Sequence, residues 1–457
     1  MVSITRALRR IKGDLDTLLS ERYLAEMARE FGCRWRERCL SPAVTIQLFV
    51  LQILHGNVCC AHTPRLAGRN VSGSGYCQAR MRLPLELLQA VLRRLAERLN
   101  QTANEVGRWC GHRLFLIDGS SFSMPDTPEL QREFGQPVGQ KKGCGFPVAH
   151  LLALFDAHAG TLLDVRASSW RIHDLSRAAE LHAHLRPGDL LLADRGFCSY
   201  GHLALLLQQT VQVVFRLHQR QIVDFTPHRA HATSDADRGK PRSIWLAGLS
   251  GQDQVVIWRR PAIRARWMTA EQHAALPEYV VVRELRYRVR RPGFRTRSVT
   301  LVTTLLDPEI YPAEALAELY AARWQVEVNL RHLKETMGMK VLHSQTVAGV
   351  RKELLAFALV YNLVRAVMRA VATHANVDPD RVSFIDAWRW LRHPWDEPET
   401  AGSAPAKQAR PPPVIINPHR PGRFEPRVRK RRPPKYPVMT KPRVDLRKAL
   451  LEKPLAA

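Results

Sequence analysis

Leu114-Phe115-Leu116-Ile117-Asp118-Gly119 decides the fold, together with a second run, Asp189-Leu190-Leu191-Leu192-Ala193-Asp194-Arg195-Gly196-Phe197. Each is an unbroken apolar stretch that stops at an aspartate with a glycine one or two positions on. A strand that is apolar on both faces must be covered on both faces, which places it in the middle of a sheet flanked by helices. The carboxyl ends of such strands are where α/β folds collect their ligands. Between the two runs, Ala149 to Phe155 and Thr161 to Ser168 flank Asp156-Ala157-His158-Ala159-Gly160 and predict a hairpin. Asp174 caps an expected helix that reaches Leu185 and ends at Pro187-Gly188. A helix over His202 to Gln208 and a strand over Val211 to Leu217 complete the series. Strand, hairpin, helix, strand, helix, strand is an α/β order with a mixed sheet.

Further out the pattern changes. Residues 1–108 read as helical, with Ser41-Pro42 as a helix start and Leu83 to Leu99 carrying Arg93, Arg94 and Arg98 opposite its apolar side. This basic module suits duplex-end recognition, or equally a plain helical cap on the region that follows. After the first part of the core (109–218), residues 219–304 carry arginine-loaded alternating strands such as Tyr279 to Arg290 and Arg295 to Thr304, a β-rich insertion. Residues 305–395 return to helix, from Pro312 to Met339 and from Thr346 to Ala375, the second expected to pack on the core. The last stretch, 396–457, is rich in Pro, Arg and Lys, including Arg427 to Lys435, and is too poor in apolar residues to fold alone.

The 457 residues hold 69 Lys+Arg against 42 Asp+Glu, a formal charge of +27, and 45% hydrophobic content. So large an excess points to a polyanionic partner, nucleic acid in preference to anionic membrane, of which double-stranded DNA is the form the helical module suits, and the basic tail would serve it too. No window is expected to approach the ~20 apolar residues of a membrane span, and no secretory signal follows Met1, so a cytoplasmic protein without a membrane partner is expected. The eight cysteines form no C-x-x-C pair or zinc-finger spacing and are expected to be reduced, mostly buried thiols.

On the helix after Pro312, Tyr320, Arg323, Glu327 and Lys334 stand at offsets of three, seven and fourteen residues. At ~100° per residue they fall within ~60° of one another, on a face ~21 Å long. One acid, two cations and a phenol on one face suit a phosphate backbone beside a metal ion. Asp118 and Asp194, converging from two strand ends, resist joint ionisation unless something neutralises them. Mg²⁺ does so with oxygen ligands, and Glu327 offers a third carboxylate. Two such metals ~4 Å apart would activate a water or a 3′-hydroxyl and stabilise the departing oxygen. No Ser-His-Asp or Cys-His arrangement competes. Each residue also has a plainer reading. Asp118 and Asp194 are in positions typical of turn formers or caps, Glu327 has Arg323 and Arg331 at ion-pair spacing, and Tyr320 and Trp324 suit a core.

The spacing Tyr320-x-x-Arg323-x-x-x-Glu327-x-x-x-x-x-x-Lys334 resembles the signature of DDE transposases of insertion-sequence family four, the group containing the transposon-five enzyme. Ile117-Asp118-Gly119-Ser120-Ser121 resembles the first acidic motif of that family and Ala193-Asp194-Arg195-Gly196-Phe197 the second. The resemblance spans Arg113 to Met339. It implies a ribonuclease-H-like core interrupted by a β-rich insertion, with Asp118, Asp194 and Glu327 as the catalytic and metal-binding triad for Mg²⁺, or Mn²⁺ in its place. It implies further that Tyr320, Arg323, Trp324 and Lys334 hold the DNA, Trp324 against the end near the cleavage site, and that a homodimer brings two transposon ends together before joining them to target DNA. Relatives that pass through a DNA hairpin hold a flipped base with a tryptophan late in the insertion. This chain has Trp245, Trp258 and Trp267 there but none in Arg295 to Thr304, leaving Tyr287 and Phe294 as the aromatic candidates. Two other functions share these residues: a nuclease without strand transfer, and a catalytically inactive DNA-binding protein.

Overall fold

In the computed structural model, which describes residues 19–35, 39–101, 107–172, 175–234, 237, 239–289, 298–392, 414–418 and 437–452, the two apolar runs lie side by side. Strand β1 (Leu114–Ser123) pairs in parallel with β4 (Leu190–Ala193), Ile117 opposite Ala193. The expected hairpin is β2 (Val148–Asp156) with β3 (Leu162–Ser169), antiparallel to each other and, through β2, to β1. β5 (Gln212–Arg216) runs parallel to β4. The insertion supplies β6 (Ile244–Ser250), β7 (Asp253–Arg259), β8 (Tyr279–Arg288) and β9 (Ser298–Thr303). These strands do not form a sheet of their own. β9 bonds antiparallel to β5, and the whole is one nine-stranded mixed sheet in the order β3-β2-β1-β4-β5-β9-β8-β7-β6.

Alternation along the central strands supplies two cores. Leu116, Phe122, Leu190, Leu192 and Val214 pack on one face, with the N-terminal helices, the signature helix and the helix Val347–Ala375. Phe115, Ile117, Leu191, Ala193 and Phe215 pack on the other, with Leu203 and Leu206 of the helix Tyr200–Gln208. The helix Pro42–Leu54 starts where expected, Ser41 Oγ accepting from Val44 N at 3.2 Å. The helices Pro42–Leu54 and Leu85–Gln101 share a single apolar cluster with Val347–Ala375 and the sheet. Polar contacts fasten the same junction. Glu353 accepts from Asn57 Nδ2 at 2.6 Å and from the amides of His343 and Ser344 at 2.8 Å each. On the sheet side, Asn362 brackets Leu162, accepting from its N–H and donating to its carbonyl, both at 2.9 Å.

Several expectations need correction. Among the described residues the helix Val347–Ala375 is long and apolar enough to cross a membrane, against the expectation that no window would be, but 89% of its most apolar stretch is buried by protein. All eight cysteines are free, yet only Cys198 is buried, because most stand in loops of the basic N-terminal region or at loop surfaces rather than on apolar faces. Asp174, Phe294 and Arg427 to Lys435 lie outside the described residues.

Candidate active site

β1 does not stop at Asp118. It runs on to Ser123, because antiparallel pairing with β2 continues from Asp118 opposite Ala153 to Ser123 opposite Val148. Its parallel partner β4 is the strand that stops, at Ala193. Asp118 therefore stands where one neighbour ends and a gap opens beside the strand, while Asp194 follows directly on that neighbour's end. Side chains alternate along a strand, so Asp118 and Ser120 share the face of Leu116 and Phe122, which is the face covered by the signature helix.

That helix is not continuous. It is built as Ala313–Ala322, a break at Arg323-Trp324, Gln325–Arg331, and a wider π-helical turn over His332–Thr336. At the break the backbone bonds tighten to three-residue steps: Arg323 N to Tyr320 O at 3.1 Å, Val326 N to Arg323 O at 3.0 Å and Glu327 N to Trp324 O at 3.1 Å. Three-residue steps eclipse side chains three apart, bringing Arg323 over Tyr320, whose ring centre lies 5.8 Å from the guanidinium carbon. Wide turns of the π type recur at functional positions, and this one carries Lys334.

Arg323 joins strand to helix. Its Nη1 reaches Asp118 Oδ2 at 3.4 Å and its Nη2 donates to Glu327 Oε1 at 2.9 Å. The Arg323 side chain is 12% exposed, that of Asp118 19% and that of Glu327 37%, so the cluster is sheltered but open to a ligand. Burial pushes the Asp118 carboxyl up to about 6. The Gly119 amide and Arg323 oppose that shift, while Asp194 and Glu327 add to it. Burial works against the Arg323 cation too, but Tyr320, Asp118 and Asp194 together hold its pKa above the ordinary value. Tyr320 is itself buried, its hydroxyl has no hydrogen-bond partner among the described residues, and burial raises its pKa, Asp194 and Tyr287 adding to the effect. Lys334 Nζ donates to Ser120 Oγ at 2.9 Å, and burial lowers its pKa. Trp324 stands at the break, 49% exposed.

The structure thus gathers Asp118, Arg323, Glu327 and Tyr320 directly, brings Asp194 within electrostatic reach, and seats Lys334 two residues along β1 from Asp118. Among the described residues no three His, Cys, Asp or Glu side chains close into a metal cage. What Asp118 and Glu327 share is a cation, the guanidinium of Arg323. Such all-oxygen donors suit a hard divalent ion. Sequence reasoning missed Ser120, although its period-two relation to Asp118 was a usable signal. It also missed a cavity of about 230 Å³ beside Asp194, lined by Arg195, Arg216, His218 and Arg286 among others and by no carboxylate. Its walls come from strands far apart in sequence. Of the insertion's tryptophans, Trp258 is buried and donates to Glu284 at 3.0 Å, and Trp267 stacks on His202, so both are engaged in packing.

Comparison with known proteins places the chain in a family. Residues 109–363 match the family model described as the transposase DDE domain. The transposase InsG for insertion sequence element IS4 of Escherichia coli (strain K12) is 26% identical over 383 residues, 81% of this chain and 79% of that protein. The transposase for insertion sequence element IS231E of Bacillus thuringiensis subsp. finitimus is 20% identical over 250 residues, 47% of this chain and 48% of that protein. Among solved structures, the cryo-EM synaptic complex of piggyBac transposase with hairpin DNA is similar with a TM-score of 0.41 and 10% identity, over 86% of this chain and 80% of that one. The domain match covers the strand that carries Asp118, Asp194 just past the end of β4 and the helix that carries Glu327, and the chain belongs to the DDE transposase family.

Proposed function

We propose that the chain binds the inverted-repeat ends of its own insertion sequence, cleaves the DNA there, and joins the freed 3′ ends to target DNA. The observation that carries this reading is the shared ion pair in which Arg323 meets Asp118 at 3.4 Å and Glu327 at 2.9 Å, with Asp194 beside them. It supports Asp118, Asp194 and Glu327 as the catalytic carboxylates that would hold one or two divalent ions, Mg²⁺ or Mn²⁺. Bound there, the metal supplies activation of the attacking oxygen and stabilisation of the departing one. The order β3-β2-β1-β4-β5, antiparallel and then parallel, supports a ribonuclease-H-like core extended by the strands of residues 219–304.

The chain's own cations do the holding. Arg323 presents a forked set of donors sized for phosphate and is kept charged by its surroundings. Tyr320 lies against it, Lys334 is steadied by Ser120, and the exposed ring of Trp324 offers a face to a terminal base or sugar. The cavity of Arg195, Arg216 and Arg286 offers neighbouring phosphates a carboxylate-free surface. Residues 1–108 and the basic tail 396–457 would add further DNA contacts, and two ends held together call for a homodimer acting on DNA in the cytoplasm. The test is an assay with labelled element ends and a plasmid target in Mg²⁺ or Mn²⁺. Joined products are expected, dependent on the divalent ion. Cleavage without joining would leave a nuclease, and neither product in any divalent ion would sink the reading.

A further inference from the structure

Beyond the site, the chain between Phe134, which caps the short helix Pro128–Glu133, and β2 is Gly135-Gln136-Pro137-Val138-Gly139-Gln140-Lys141-Lys142-Gly143-Cys144-Gly145-Phe146-Pro147, thirteen positions without an acid. It is a built loop rather than a loose one. Gln136 Nε2 donates to the carbonyls of Gln140 and Lys141 at 2.9 Å each, and its Oε1 accepts from Gly143 N at 3.2 Å. Gln131 Nε2 donates to the Gly145 carbonyl at 2.9 Å. Gly135 and Gly143 sit at φ +75° and +77°, a backbone region that a side chain rarely adopts. The loop is tied to the far end of β1, Met124 N donating to Pro147 O at 3.2 Å and Ser123 lying opposite Val148. Val138 is 92% exposed, and Lys141 and Lys142 are exposed beside it.

Pro442 rests on Gly143, so close that an added Cβ would come within 3.2 Å of its ring, and the helix Arg443–Leu451 leads away from that contact. Lys441, Arg443, Arg447 and Lys448 are exposed there, with Asp445 the acid in the helix's first turn. Neither these cations nor Lys141 and Lys142 form an ion pair among the described residues. The carboxylates nearest the loop along the chain are already engaged: Asp126 accepts from Gln131, Glu129 from Val347 N, and Glu133 from Arg351. Six exposed cations against two acids, Asp445 and the C-capping Glu452, favour an anionic partner, and the patch stands at the active end of the sheet. Ser123 lies five residues past Asp118 on β1, ~17 Å at ~3.3 Å per residue, a distance covered by about five phosphates of one DNA strand at ~3.4 Å each.

We propose that the loop 135–147 and the helix Arg443–Leu451 form a DNA-backbone-binding surface that grips the duplex about five nucleotides from the reacting phosphate. This rests on the transposase reading above and adds a second grip to it. The experiment measures binding of the full chain to a labelled duplex carrying the element's end with about one helical turn on either side, over a range of salt. Lys141→Gln/Lys142→Gln should flatten the slope of log K against log salt by up to ~2, and Arg443→Gln/Arg447→Gln/Lys448→Gln by up to ~3, at ~0.9 per phosphate neutralised. A duplex cut back to the reacting phosphate on the gripped side should erase the difference between variant and wild type. Slopes equal to wild type in both variants, from a wild-type chain that still cleaves and joins, would overturn this proposal alone. An unchanged slope with an altered oligomeric state by light scattering would make the patch an interface between copies and would overturn it equally. A wild-type chain that neither binds nor cleaves the end would remove the transposase reading and this surface with it.

Discussion

Replacing Asp118 by asparagine should make the metal-free protein more stable while destroying its activity. Burial, aided by Asp194 and Glu327, moves this carboxyl from 3.8 up to about 6, a shift worth ~3 kcal/mol at ~1.4 kcal/mol per unit. Because the folded state holds the proton more tightly than the unfolded chain does, the penalty is absent below pH ~4, grows between ~4 and ~6, and is complete above that. The introduced amide would keep the acceptor that meets Gly119 N at 2.8 Å, and the attraction to Arg323 that it gives up is already contained in the net shift. The expected stabilisation of Asp118→Asn is therefore ~1–3 kcal/mol at pH 8 in chelator and close to zero at pH 4. Urea denaturation followed by tryptophan fluorescence and circular dichroism at a series of pH values measures it. Adding Mg²⁺ should then stabilise wild type, by about 2.7 kcal/mol at a hundredfold excess over the dissociation constant, and stabilise the variant less. A variant no more stable than wild type at pH 8, or a difference that stays flat with pH, would refute the burial account of Asp118.

Glu327→Gln should abolish cleavage in the end-joining assay while leaving the affinity for end duplex within about twofold, since the amide keeps the shape of the side chain. Arg323→Ala should weaken end binding by ~10–100-fold, the loss of ~1.5–3 kcal/mol for a charge-assisted contact, read by fluorescence anisotropy. Ser120→Ala should release Lys334 and lower the cleavage rate of bound DNA several-fold, with Ser120→Thr restoring it; equal rates in all three forms would leave Ser120 without a positioning role. Arg283→Ala should cost ~3–5 kcal/mol in denaturation, because Asp253, which accepts from Arg283 Nε at 2.8 Å, would stay buried without its partner.

The parts of the fold that the sequence made legible are those set by local pattern. The apolar runs before Asp118 and Asp194 could be nothing but central strands, and the hairpin and the Ser41-Pro42 start followed from residues within reach of one another. The continuation of β1 was hidden because Gly119-Ser120-Ser121 has the composition of a turn, and only the distant β2 keeps it extended. The merging of the insertion into the main sheet was hidden for the same reason, since Val214 opposite Thr303 is a pairing that no periodicity announces. At the site, residue types and spacing put Tyr320, Arg323, Glu327 and Lys334 on one helix face, with Asp118 and Asp194 expected to converge from two strand ends. That Arg323 would be shared between the strand and helix carboxylates depends on a tightened turn at Arg323-Trp324, which a uniform 100° repeat does not contain.

The clasp of Asn57 on Glu353, set in an apolar cluster common to the helices between Leu19 and Gln101 and the buried helix Val347–Ala375, bears on how such elements diversify. A recognition module joined only by a linker can pass between relatives as a cassette. Here a crossover near residue 108 would pair helices and scaffold that had never packed together, at the cost of a mismatched interior. On the proposed reading, in which those helices contact the element ends, new end preference would come from substitutions on their outward sides, one position at a time, rather than from exchange of the whole module.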